Sequence, residues 1–216
     1  YFLGLSCLPI ALMSLLNIFY CFYFNYLQNI NSYLSVLILA LLFFFILVKI
    51  GRNDKNNITV YEQIFLIFLI YFLISFLIFI PYLFSSYDIS FLDAYFESIS
   101  GLTSTGFTIF TNIKNLDEPL ILWRSSSQWV GGFYFLIFLV LIFSNKKINF
   151  KMVDLSCMIE KKINFSSNLV SVTYRIFFIY LSLTALIFFI FLISGIRLFD
   201  SMNLSMTIIS SGGFLP

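Results

Sequence analysis

The stretch FLDAYFESISGLTSTGFT, Phe91 to Thr108, returns 107 residues later as LFDSMNLSMTIISSGGFL, Leu198 to Leu215. Five of the eighteen paired positions are identical: Asp93/Asp200, Ser98/Ser205, Ser104/Ser211, Gly106/Gly213 and Phe107/Phe214. Four of the five fall at the helix start or in the glycine loop, where backbone geometry selects the residue. Each copy follows a long apolar segment and reads as a short helix running into a Ser/Thr/Gly loop. Self-similarity at a fixed spacing marks a repeated structural unit. The expected fold is therefore an all-α integral membrane protein, its transmembrane helices interleaved with re-entrant half-helix and loop repeats.

Composition agrees. Apolar residues make up 61% of the chain and charged residues only 10%, where a soluble domain carries about a quarter charged. Five segments approach the roughly 20 apolar residues that cross a hydrocarbon core: Phe2–Tyr26, Tyr33–Val48, Ile64–Leu83, Leu122–Phe143 and Val172–Ile193. Their runs are continuous rather than alternating, which favours helix over strand. Cys7 and Cys21 lie in the first of them and Cys157 in a basic loop. With no CxxC spacing and no His, a zinc site and an imidazole proton relay are both disfavoured, and the cysteines read as inert. Tyr1 stands where a start methionine would, and the first span is too long for a cleaved signal peptide. The chain reads as a trimmed piece of something longer, with a two-helix extension over 1–56 and a first helix–loop–helix repeat over 57–145. A connector over 146–171 and the start of a second, truncated repeat over 172–216 follow.

Nine of the twelve Lys and Arg residues fall on one side of these spans: Lys49, Arg52, Lys55, Lys146, Lys147, Lys151, Lys161, Lys162 and Arg175. The other side has Lys114, Arg124 and Arg197, beside Asp88, Asp93, Glu97, Asp117, Glu118 and Asp200. The basic side is expected to be cytoplasmic, so both half-helices enter from the outer face. The 146–171 connector carries KKINFK and EKKINF, and reads either as an ordinary basic linker or as a docking surface for a cytoplasmic partner.

The repeat carries a specific chemistry. A dehydrated cation needs several oxygens at fixed distance, and backbone carbonyls lining a narrow passage supply them. Glycine best tolerates the backbone angles this requires. A preceding half-helix aims its negative C-terminal end at the passage. A tight turn is the alternative reading of one such loop; two copies in register argue against it. Ser90 with Asp93 resembles a capping box, and Asp200 is expected to cap or to occupy the first turn of its helix. Asp93, Glu97 and Asp200 thus read as caps and mouth electrostatics, with direct ion coordination as the alternative.

DAYFESISGLTSTGFT, then LILWRSSSQWVGG, then SMTIISSGGF, resembles the Trk/Ktr/HKT superfamily of potassium uptake proteins, nearest its TrkH type, over essentially the whole chain. That resemblance implies four helix–loop–helix repeats around one pore, each giving a filter strand. Here these would be Thr103, Ser104, Thr105, Gly106 and Phe107, then Ser210, Ser211, Gly212, Gly213 and Phe214, with carbonyls coordinating potassium as the transported ion and no covalently bound cofactor. Serine at the first filter glycine accompanies sodium preference in plant relatives, so Gly106 argues for potassium. The resemblance also implies a lipid-embedded homodimer in the inner (plasma) membrane, and a cytoplasmic nucleotide-binding regulatory subunit that docks near Lys146–Lys162. Nothing points to nucleic acid. Repeats three and four, a gating loop and a pore-facing arginine of the last repeat would lie beyond Pro216.

Other residues allow two readings. Trp123 and Trp129 suit interface anchors or packing around the half-helix. Arg124 suits snorkelling, or pairing with Glu97 or Asp117. Gly131 and Gly132 suit close helix approach, and Asn17 and Asn25 helix–helix hydrogen bonds. The rivals to potassium uptake are a sodium-permeable or other monovalent cation transporter and a non-conducting structural subunit. A tetrameric two-span channel fits poorly with fused, diverged repeats, and a membrane enzyme lacks its acids or metal motif.

Overall fold

The computed structural model describes residues 1–26, 29–51, 60–143 and 165–216. These form α1 (Phe2–Leu5), α2 (Cys7–Tyr23), α3 (Ile30–Gly51), α4 (Val60–Leu83), α5 (Phe91–Leu102), α6 (Glu118–Phe143), α7 (Phe165–Ile193) and α8 (Leu198–Ile209). A 3-10 turn, Ile113–Asn115, precedes α6. No strand occurs among the described residues. Arg52, Lys55, Cys157 and the basic stretch Lys146–Lys162 lie outside them, and with them most of the expected connector.

Phe2–Tyr23, Ile30–Gly51, Tyr61–Leu83 and Ser171–Ile193 are long and apolar enough to cross a membrane. The first is interrupted between α1 and α2 at Ser6. Pro9 has no N–H to offer the Leu5 carbonyl, so the helical ladder loses a rung there. The second begins at Ile30, three residues before the expected Tyr33. Its polar opening is accommodated because Ser32 and Ser35 hydroxyls donate back to the carbonyls of Asn29 and Ser32, each at 2.7 Å.

The expected span from Leu122 belongs to α6, which is not among those four stretches. Its first half holds Arg124, Ser125, Ser126, Ser127 and Gln128, and every residue from 119 to 134 is buried. A helix buried all round belongs to the interior. Indeed α2, α4, α5, α7 and α8 all pack on α6. Its three serine hydroxyls donate to carbonyls of their own helix, at Ile121, Trp123 and Arg124. They therefore add little polarity and little bulk, and neighbouring helices approach closely.

One end of the bundle collects several helix termini. The Tyr87 hydroxyl, just before α5, accepts from the Asp117 N–H at 2.7 Å and donates to the Asn115 carbonyl at 3.2 Å. Tyr20, near the end of α2, donates to Glu118 at the start of α6. Arg197, which opens α8, lies 3.1 Å from the same carboxylate. From this end α5 runs twelve residues, about 18 Å, and stops against the middle of α6. The chain then returns to Asp117, beside its starting point.

Candidate functional site

The two repeat copies fold alike. Helices α5 and α8 are each twelve residues long, and their ends coincide with the sequence offset of 107 at both termini. Their starts differ in chemistry. Ser90 caps α5: its hydroxyl oxygen accepts from the Asp93 N–H at 3.2 Å and its O–H reaches Asp93 Oδ2 at 2.7 Å. Position 197, equivalent to Ser90, is Arg and makes no side-chain cap. Asp200 is therefore not a cap. It sits in the first turn of α8 and takes a forked pair of bonds from Arg197 Nε and Nη2, both 3.2 Å. Asp93 likewise supports a cap made by Ser90 rather than forming one.

The helix ends, by contrast, match atom for atom. Beyond α5, the Ser104 N–H donates to the Gly101 carbonyl (3.0 Å) and the Thr105 N–H to the Ser100 carbonyl (3.0 Å). Beyond α8, Ser211 donates to Ile208 (3.0 Å) and Gly212 to Thr207 (2.8 Å). This pair of bonds is the Schellman motif, which consumes two orphan carbonyls at a helix end and needs a left-handed residue just past the cap. Ser104 and Ser211 supply it, with φ of 54° and 55°. The next turn brings the loops together. Gly106 has φ of 80°, and a Cβ built on it would stand 2.5 Å from the Gly213 Cα. The equivalent glycines of the two copies thus touch, backbone to backbone.

The outer ends of the loops diverge. The Ser100 hydroxyl donates to the Phe107 carbonyl at 2.5 Å, so this carbonyl turns back to α5. Its ring is exposed, whereas the equivalent Phe214 ring is fully buried. Phe214 occupies a cradle made by the first repeat: the Arg124 guanidinium lies over its ring, 4.2 Å from the centroid, and its backbone N–H donates to Gln128 Oε1 at 3.2 Å.

That cradle stands on a buried ion pair. Arg124 Nε is 2.9 Å from Glu97 Oε1, with the two side chains 1% and 0% exposed. The Glu97 carboxylate also accepts from the Thr108 hydroxyl and the Ile109 N–H, each at 3.0 Å. Arg124 Nη2 reaches Thr108 Oγ1 at 3.0 Å. Of the two readings for Arg124 the pairing with Glu97 holds, deep inside rather than at an interface.

Trp123, Trp129, Gly131 and Gly132 of the same segment pack around this site. Trp123 and Trp129 are not interface anchors; both are buried. Their indole N–H groups donate to the Ile78 carbonyl and to Thr184 Oγ1, both at 3.0 Å. A Cβ on Gly131 would stand 1.9 Å from the Leu102 carbonyl oxygen, and one on Gly132 2.8 Å from Ser210 Cβ. These glycines let α6 touch the end of each half-helix, as expected. The asparagine reading fails: Asn17 bonds within its own helix, to the Met13 carbonyl, and Asn25 lies past the end of α2 with φ of 60°.

No family model matches the chain. An uncharacterised cation transporter of Methanocaldococcus jannaschii is 30% identical over 186 residues, 86% of this chain and 39% of that protein. The Trk system potassium uptake protein TrkH of Vibrio parahaemolyticus is 30% identical over 129 residues, 59% of this chain and 27% of that protein. The crystal structure of the potassium transporter TrkH from the same species superposes with a TM-score of 0.74 at 21% identity, covering 94% of this chain and 41% of that one. In sequence the chain is similar to Trk system potassium uptake proteins and to a cation transporter, and its fold is that of the TrkH structure. It spans about a quarter to two fifths of the length of these relatives. The names of these relatives are those of transporters and not of enzymes, and four helices of this chain are long and apolar enough to cross a membrane.

Arg124, Glu97 and Gln128 are the members of the site that motif reading did not rank as such. A charged residue inside an apolar segment needs a partner, and that rule was the available signal. Nothing in the sequence marks the Arg124–Phe214 contact, which joins positions 90 residues apart.

Proposed function

We propose that the chain forms part of a path by which potassium crosses the inner membrane through a filter lined by backbone carbonyls. The filter is built from Thr103–Phe107 and Ser210–Phe214, with Gly106 and Gly213 at its narrowest level. The observation that carries this reading is the contact of two conformationally matched glycine loops at the ends of two half-length helices. The return of the chain from α5 to the end where it started supports a re-entrant loop. The excess of Lys and Arg between the spans supports entry of both half-helices from the outer face. In this reading residues 1–56 are an added helix pair, 57–145 a full repeat and 172–216 the start of the next. The names of the potassium uptake relatives support potassium over sodium, as does Gly106. A lipid-embedded homodimer and a nucleotide-binding cytoplasmic subunit near Lys146–Lys162 complete the proposal.

The test is growth at low potassium and rubidium uptake, in cells lacking their own potassium uptake, for the wild-type gene and for Gly106→Ser. Rescue by wild type, with uptake abolished or shifted toward sodium in the variant, is the expected result. A side chain at Gly106 meets both a φ of 80° and the Gly213 backbone, so no accommodating rotamer exists. Uptake unchanged by the substitution would place the filter elsewhere. No rescue by wild type that is present in the membrane would favour the sodium or structural readings.

A further inference from the structure

We propose that Arg124 and Glu97 are a positioning pair that holds the two glycine loops in register, and so set how strongly the passage prefers potassium over sodium. This rests on the filter reading above. The pair is placed between the loops and touches both. Glu97 takes three donors: Arg124 Nε, the Thr108 hydroxyl and the Ile109 N–H. Two of those belong to the segment directly following Gly106 and Phe107. Arg124 then spends its flat face on Phe214, 4.2 Å from the ring centroid, the residue directly following Gly213. One planar cation thus bonds the first loop at its edge and stacks on the second with its face.

The surroundings make this arrangement exacting. Both side chains are withdrawn from solvent, where a mismatched charge is poorly tolerated. Gly101 leaves room for the ring, since a Cβ there would come within 3.3 Å of Phe214 Cε2 and 2.4 Å of Ser127 Oγ. Gln128 holds the same residue by its N–H at 3.2 Å. A lysine ammonium supplies the charge but cannot donate in a fixed plane and stack at once. Because Gly106 and Gly213 touch, a tilt of Phe214 relative to Thr108 is passed directly to the glycines. Discrimination between ions by carbonyl oxygens depends on how those oxygens are held, so loosening this brace relaxes selectivity before it abolishes transport.

The experiment measures rubidium and sodium uptake per unit of protein in the membrane, in the same potassium-uptake-deficient cells. The variants are Arg124→Lys, Glu97→Gln and Phe214→Leu, with Ser126→Ala as control, since the Ser126 hydroxyl donates to the Trp123 carbonyl of its own helix. Arg124→Lys and Glu97→Gln are expected to lower the rubidium-to-sodium ratio about tenfold, the scale at which sub-ångström positioning acts. Phe214→Leu is expected to lower it less, and Ser126→Ala not at all. A wild-type ratio in Arg124→Lys and Glu97→Gln, whatever their total flux, overturns the proposal and leaves the pair a structural element. Should those two fail to reach the membrane, Phe214→Leu decides, because it removes the stacked face and leaves the ion pair intact; an unchanged ratio there overturns it equally. Absence of any uptake by wild type is a different failure, that of the potassium reading.

Discussion

Ser104 and Ser211 hold a left-handed backbone that costs a side-chain-bearing residue about 1–2 kcal/mol, at a position where Schellman ends normally place glycine. The hydroxyl of Ser104 recovers little of this through a 3.4 Å contact with the Gln128 carbonyl. Ser211 is exposed, and its substitution disturbs nothing packed. Ser211→Gly is therefore expected to stabilise the detergent-solubilised protein by about 1 kcal/mol, read as a higher midpoint of thermal or denaturant unfolding. A lower midpoint would mean that the Ser211 side chain makes a contact worth more than its backbone strain. The same reasoning separates Gly106 from Gly213: only Gly106 needs a positive φ, although the two touch each other. The first loop is thus the less forgiving of the two.

At the scale of elements, α6 is the part to which both half-helices are fitted, and glycines decide how closely. A Cβ on Gly131 would fall 1.9 Å from the Leu102 carbonyl oxygen and 2.7 Å from its carbon. Backbone cannot rotate away as a side chain can, so α5 and α6 would have to separate. Gly131→Ala is expected to cost about 3 kcal/mol, at the upper end of overpacking effects, and to reduce the amount of folded protein recovered from membranes. Gly195→Ala provides the contrast: nothing lies within 4 Å of the added carbon and only φ of 83° opposes it, at about 1 kcal/mol. Equal losses from the two would mean that α6 and α5 do not touch in the membrane. Helices α5 and α8 were legible because their boundaries are written locally, in a repeat with matching loops. The burial of Trp123 and Trp129 was not, since tryptophan near a span end is equally suited to an interface and to a crowded helix junction. Arg124 and Glu97 were legible as a possible pair and not as a brace, because the bond to Ile109 and the stack on Phe214 depend on where the loops turn. Of the two places expected for Asp200 it takes the first turn of α8, because the cap position before it is Arg197, which claims the carboxylate.

For the molecule as a whole, orientation decides which ion concentration the loops meet first. Tyr87, Asp117, Glu118 and Arg197 are bonded together at one end, and this end also starts α5, α6 and α8. The opposite end carries Lys49 in the last turn of α3, and in sequence six of the other seven Lys fall between α3 and α4 or between α6 and α7. Positive residues are retained on the cytoplasmic side, so the cluster at the half-helix starts is expected to face outward. Cysteine labelling checks this directly. Cys7 and Cys21 are buried and can stay, and Cys157→Ser removes the other thiol. Ser86, exposed between α4 and α5, is then replaced by Cys in one variant and Lys151 in another. A membrane-impermeant maleimide applied to intact cells is expected to label Ser86→Cys and to leave Lys151→Cys unlabelled until the membrane is opened. The reverse pattern would invert the protein and turn both half-helices toward the cytoplasm, with their C-terminal ends directed outward. Labelling of both from outside would mean that α6 does not separate Ser86 from Lys151 across the membrane, and would remove the physical basis for treating either glycine loop as part of a transmembrane path.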